Sequence, residues 1–358
     1  MWPFYLLLLV PIFIQHFKVR NNTNDYWKKN ERALIFFFVF LFILVALRHE
    51  RTGTDTRNYI QYFKNCSIMS WLEVGKASSE FGFSYFGKIV SLFTESHQLF
   101  FAAVIAVTLS VIYPTYKRLC KDPTLTIVIF CIMPTFVMMF SGIRQMLAIG
   151  IGFIAYEFTR KKKIIPFILC VLLAMTFHTS AFVLIFMYPL YRAKITKKWL
   201  FVVVPSLIIA FVYNRQIFTV MGLILERYTD YDASISQTGA YTMLILFSLF
   251  AVFSFVIPDD SKLDEETIGL RNFLLLSVAL QLFAPLHTIA MRMNYYYLAF
   301  IPLLIPKIIS IKSERFGQIA LIGRHIMVAF FLVYFFYNAY TGGNNLKVFP
   351  YHFFWETV

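Results

Sequence analysis

The chain has 358 residues, 59% of them hydrophobic and 15% charged, with 42 Phe, 21 Tyr and 5 Trp and a formal net charge of +14. So few charges cannot cover a water-facing surface, where about a quarter of residues is usual, and so many aromatics exclude intrinsic disorder. The basic residues fall in short clusters between apolar runs instead of forming one patch, which is the pattern of a polytopic membrane protein and not of a nucleic-acid binder.

The first run, in MWPFYLLLLVPIFIQHFKVR, has its positive charges after the apolar stretch. That is the reverse of a secretory signal peptide, so it reads as a retained helix with its start outside. Spans are then expected at Trp2–Phe17, Ala33–Leu47, Gln98–Tyr113, Thr124–Phe140, Gln145–Phe158 and Ile164–Phe177. Further spans follow at Ala181–Tyr191, Leu200–Tyr213, Ala240–Ile257, Asn272–Leu286, Met293–Pro306 and Gln318–Tyr337. The fold class expected is all-α, a polytopic integral membrane protein of about 10–12 transmembrane helices, several shorter than the ~20 residues a full crossing needs. Tilt or pairs of half-length helices make up the difference.

Of the 33 Lys and Arg, 21 lie in the loops 18–32, 114–123, 159–163, 192–199, 258–271 and 307–317, 11 lie in the other segments, and Arg324 sits within the last span. The basic excess places those six loops inside and both termini outside. The acidic stretch PDDSKLDEET at 258–267 runs against this, although acids weigh little in the rule. Residues 1–358 read as one membrane domain, and 48–97 as an outer-face segment whose WLEVG and FGFSYFGKIVSLF fit interfacial helices able to lid a cavity.

Three apolar stretches read as hairpins with tips pointing outwards: Thr124–Phe158 interrupted at SGIRQ, Ile164–Tyr191 at FHTS, and Asn272–Pro306 at APLHTIAMR. A 14-residue arm of the second rises only about 21 Å, so its tip stops below the membrane surface, with Thr179 or Ser180 available to cap the returning helix. The tips carry Arg144 and Gln145, His178, and His287 with Arg292. The segment RHERTGTDTRNY adds Arg48, Arg51, Asp55, Arg57 and Tyr59 on the same side.

An ionisable group at membrane depth costs at least about 2.5 kcal/mol unless paired or hydrated, so the convergence points to a polar cavity on the outer face. Arginine suits a phosphate there through its planar, always-charged fork. The structural alternatives are plain. Arg48 and Arg51 fit interfacial anchors, His178 a buried hydrogen-bonding histidine, and Arg292 with Tyr295, Tyr296 and Tyr297 an aromatic belt. Arg144 has no acid near it in sequence, and Arg324 has no evident partner. Asp55 fits either a helix cap paired with Arg51 or Arg57, or a group that takes a proton from an acceptor hydroxyl. The four cysteines have no metal or disulfide spacing, and no cofactor motif is found, so no metal or cofactor is expected.

RTGTDTRNY, SGIRQMLAIGI, RKKK followed by FHTSAF, MRMNYYYL and the ending FPYHFFWE occur in this order, and the set resembles the EpsG family, bacterial polysaccharide polymerases related to the Wzy O-antigen and capsule polymerases. The resemblance implies a GT-C-like glycosyltransferase in the bacterial inner (plasma) membrane with its site facing the periplasm or exterior. It implies undecaprenyl-diphosphate-linked oligosaccharide as substrate, and a flippase and a chain-length regulator as possible partners. It implies metal-independent transfer, with Arg144 and Arg292 on the diphosphate, Arg48 or Arg51 in support, and His178 or Asp55 as base. Gln145, Tyr59 and Tyr295 would line the substrate cavity. A lipid-linked oligosaccharide flippase and a membrane O-acyltransferase are the competing readings.

Overall fold

The computed structural model describes residues 1–18, 26–225, 237–311, 317–341 and 346–357. Parts of the loops at 18–32 and 307–317 lie outside these residues. The chain begins with α1 (Trp2–Lys18) and α2 (Tyr26–Ala46), followed by the shorter α3 (Thr56–Ile68), α4 (Trp71–Lys76) and α5 (Phe81–Ser91). It continues through α6 (His97–Leu119), α7 (Pro123–Ile132), α8 (Pro134–Ser141), α9 (Ile143–Arg160) and α10 (Ile164–Phe177). A 3₁₀ segment Thr179–Phe186 leads into α11 (Met187–Arg192), α12 (Leu200–Val212) and α13 (Asn214–Leu225). Then come α14 (Gln237–Val256), α15 (Glu265–Gln281), α16 (Thr288–Leu298), α17 (Ile301–Ser310) and α18 (Gly317–Thr341).

This is an all-α polytopic membrane protein. Among the described residues three helices, His97–Leu119, Gly239–Val256 and Gln318–Thr341, are each long and apolar enough to cross a membrane, and five if each bent pair is one span. α12 buries none of its side chains against the protein, and Phe201, Val202, Ile208 and Ile209 point their apolar surface outwards. An apolar helix exposed in this way is solvated by lipid, not water.

Several spans expected as continuous are broken, each for a local reason. Thr124–Phe140 bends by 64° between α7 and α8. Pro134 has no N–H to give, and it holds Met133 extended at φ −72°, ψ 144°. Met293–Pro306 divides at Ala299–Phe300, with Pro302 opening α17. Ala181–Tyr191 is a 3₁₀ segment and a short helix, and the chain after Val212 turns by 79° into α13, a helix the sequence did not single out.

Aromatic side chains fill the main core, where Phe4, Phe136, Phe140, Phe335 and Tyr351 meet edge to face. A second cluster of Tyr59, Phe63, Phe83, Phe100 and Leu147 lies under α3 and α5. The two chain ends meet at one end of the bundle. Trp2 lies 5.7 Å from Phe353, Arg48 bridges Phe353, and the backbone of Gly53 and Thr54 is bonded to Lys347 and Leu346.

Candidate active site

The three interrupted tips converge on the end of the bundle where the chain ends meet. Gly142 starts α9, so Arg144 and Gln145 occupy its first turn. Gln145 is buried and donates from Nε2 to the carbonyl of Arg292, joining the start of α9 to α16. His178 ends α10 in an extended conformation at φ −155°, ψ 121°. Ser180 Oγ lies 3.4 Å from the hydroxyl of Tyr296, which ties that tip to α16 as well.

The residue at the centre is Glu80, immediately before α5. Its Oε2 accepts from Arg144 Nη1 at 2.6 Å, its Oε1 lies 2.6 Å from His178 Nδ1, and the same oxygen accepts the Thr179 N–H at 3.1 Å. Arg144 also stands 5.7 Å over the Tyr59 ring. Arg144, with no acid near it in sequence, finds one from the 48–97 segment, 64 residues away. Sequence reasoning missed Glu80, although one signal was available. It is an acid set directly before the apolar FGFSYF.

Glu80 reaches this position because α5 packs closely on α10. A Cβ on Gly82 would come within 2.2 Å of Thr176 Oγ1 and 3.0 Å of its carbonyl oxygen. Burial alone would raise the Glu80 carboxyl, but the contacts with His178, Arg144 and the Thr179 N–H outweigh it and hold the group below the usual carboxylate range. The neighbouring cap expected from Thr179 or Ser180 is supplied in this way by another element, since the 3₁₀ segment has no side-chain cap of its own.

Asp55 precedes α3 without capping it through its side chain. Its Oδ2 accepts from Ser141 Oγ at 3.3 Å, and its N–H donates to the same oxygen at 3.2 Å. The pairing expected with Arg57 goes instead to Glu50, 2.9 Å from Arg57. Arg51 is exposed and, with Glu50, Arg57 and Lys347, lines an open cavity beside the turn that carries Asp55. Gly53 permits that turn, with φ +89° and a virtual Cβ only 2.3 Å from the Phe140 carbonyl oxygen.

The other sequence candidates separate by exposure. Arg48 is fully buried, 3.9 Å over the Phe101 ring, and donates to Thr56 Oγ1 and the Val45 carbonyl. It ties α2 to α3 and α6, and its guanidinium presents no surface to a ligand. Arg292 is exposed on the first turns of α16, while Tyr295 behind it is buried. His287 caps α16 by accepting the Ile289 N–H at 2.9 Å.

Opposite charges also meet at the other end of the bundle. Arg118 bridges Glu157 at 2.6 Å and Glu266 at 2.7 Å, and Lys307 reaches Asp264 at 2.9 Å. Arg324, left without a partner by the sequence, pairs with Asp122. Arg144 and Glu157 sit on one helix, α9, so these two ends are separated by on the order of 20 Å. Among the described residues no group of three His, Cys, Asp or Glu side chains could hold a metal ion.

The end with Arg144 combines a partly exposed cation, a histidine and a buried carboxylate, and the exposed Arg51 and Arg292 lie at the same end of the bundle. This set can bind an anion and move a proton. The EpsG family model matches residues 31–353 of the chain. No curated protein and no solved structure matches it.

Proposed function

Because the chain belongs to the EpsG family, whose proteins are related to Wzy-type polymerases, we propose that it is a polysaccharide repeat-unit polymerase with a lipid-diphosphate-sugar donor. It transfers a growing glycan from undecaprenyl diphosphate onto a new lipid-linked repeat unit at the outer leaflet of the bacterial inner membrane. The observation that supports this most is the meeting of Arg144, Glu80 and His178 with the start of α16, at the end the positive-inside count places outside.

In the transfer, an acceptor hydroxyl loses its proton to His178 while its oxygen attacks the anomeric carbon of the donor. The bond from that carbon to the diphosphate oxygen breaks, and the diphosphate leaves with the electron pair. Arg144 and Arg292 stabilise the charge that develops on it in this reading, with Arg51 in support. Arg48 serves the fold in this reading. Asp55, already engaged with Ser141, is the second candidate for the base, and Gln145, Tyr59 and Tyr295, all buried, support the site from behind.

Deleting the gene and complementing it tests the reading. Wild type restores a ladder of surface polysaccharide, and Arg144→Ala leaves material carrying a single repeat unit. Loss of all surface polysaccharide with lipid-linked units trapped inside would make the protein a flippase instead.

A further inference from the structure

We infer that Glu80 is a positioning residue for this reaction, fixing the His178 ring and the Arg144 guanidinium relative to each other. The inference rests on the polymerase reading above. Glu80 is 7% exposed and is the only described side chain shown touching both groups, one carboxylate oxygen for each. Nδ1 of the ring lies 2.6 Å from the carboxylate and Nε2 on the far edge of the ring, and neither nitrogen makes a hydrogen bond of normal geometry among the described residues. In the tautomer with its proton on Nδ1, facing the carboxylate, the imidazole takes a hydroxyl proton on Nε2, and the imidazolium that results is stabilised by the carboxylate.

The Nδ1 contact is short but lies off the N–H axis, as catalytic pairs without substrate often do. Arg144 gives Nη1 to Glu80 and keeps 36% of its side chain exposed, so the guanidinium is fixed at one end and open to an anion at the other. The groups facing the carboxylate come from separate elements: Arg144 from α9, His178 and the Thr179 N–H from the second tip. Tyr59 of α3 reaches the cluster through Arg144. No arrangement of the three tips alone supplies this carboxylate. The outer-face segment is thus part of the site and not only a cover for it.

A double-mutant cycle on the purified full-length protein, fed its host's lipid-diphosphate-linked repeat unit, tests the role. Glu80→Gln lowers kcat about 100-fold, in the range of a misdirected general base, with KM changed less than about threefold. His178→Gln lowers kcat similarly, and the double variant loses far less than the product of the two single losses, because Glu80 acts in large part through that ring and otherwise through Arg144. Glu80→Asp keeps the charge with a shorter reach and retains about a tenth of wild-type kcat, so the cycle is still readable should Glu80→Gln not fold. Wild-type kcat in both Glu80 variants, or losses that multiply in the double variant, would overturn the positioning role while leaving the polymerase reading intact. Wild-type protein that extends no glycan at all would overturn both.

Discussion

Arg48 has no exposed surface and packs 3.9 Å over Phe101, whereas Arg144 keeps 36% of its side chain exposed beyond its pair with Glu80. In sequence each sits beside an apolar run, with Arg48 readable as an interfacial anchor and Arg144 without a nearby acid. Truncating the first leaves unsatisfied buried acceptors and a void, so Arg48→Ala should cost about 2–4 kcal/mol and lower the melting temperature. Turnover of the remaining folded protein should stay near wild type. Arg144→Ala should abolish turnover with a smaller loss of melting temperature, since the Glu80 carboxylate keeps His178 and the Thr179 N–H beside it. Glu80 adds a pH signature. Its carboxyl is held below the ordinary value in the folded state, so its stabilisation is fully present above about pH 4.3 and is lost as pH falls through the folded value. The difference in melting temperature between wild type and Glu80→Gln should therefore shrink as pH falls through the carboxylate range, below about pH 4.3. A difference that grows under acid would contradict the pairing.

At the scale of elements, the position of Glu80 depends on the approach of α5 to α10 at Gly82. Gly82→Ala places a methyl against both the Thr176 side chain and its backbone, so α5 must move outwards. Activity should fall at least tenfold while helical content is retained, as read by circular dichroism beside a turnover assay. The hairpin tips were legible in the sequence because polar residues interrupt apolar runs, and SGIRQ, FHTS and HTIAMR are all found at one end. Helix breaks were less legible. The bend at Met133 comes from Pro134 inside a run read as one span, and hydropathy does not register a missing N–H donor. Glu80 was not legible as a site residue at all, because its contacts cross 64 and 98 residues and spacing along the chain carries no information about them.

Across the whole molecule, ionisable side chains gather at the two ends of the bundle and aromatic packing fills the space between. The acidic loop that ran against the orientation count finds an explanation here. Asp260 pairs with Arg271, Asp264 with Lys307 and Glu266 with Arg118, so these carboxylates neutralise fixed cations at the end opposite Arg144. Sidedness is testable directly. Single cysteines at Thr54 and Lys162, in a chain whose four native cysteines are replaced, should label from opposite faces with a membrane-impermeant thiol reagent. Thr54 should react from outside intact cells and Lys162 only after permeabilisation.

The measurement that tests the central claim most directly combines chemistry with sidedness. Membrane vesicles of both orientations, carrying wild type or Arg144→Ala, would be given the lipid-diphosphate-linked repeat unit on their exposed leaflet only, and glycan length followed on gels. The account predicts lengthening by wild type when the supplied leaflet is the one facing Arg144, Glu80 and His178, none in the opposite orientation, and none with Arg144→Ala. Equal extension by Arg144→Ala, or extension from the opposite leaflet, would contradict it.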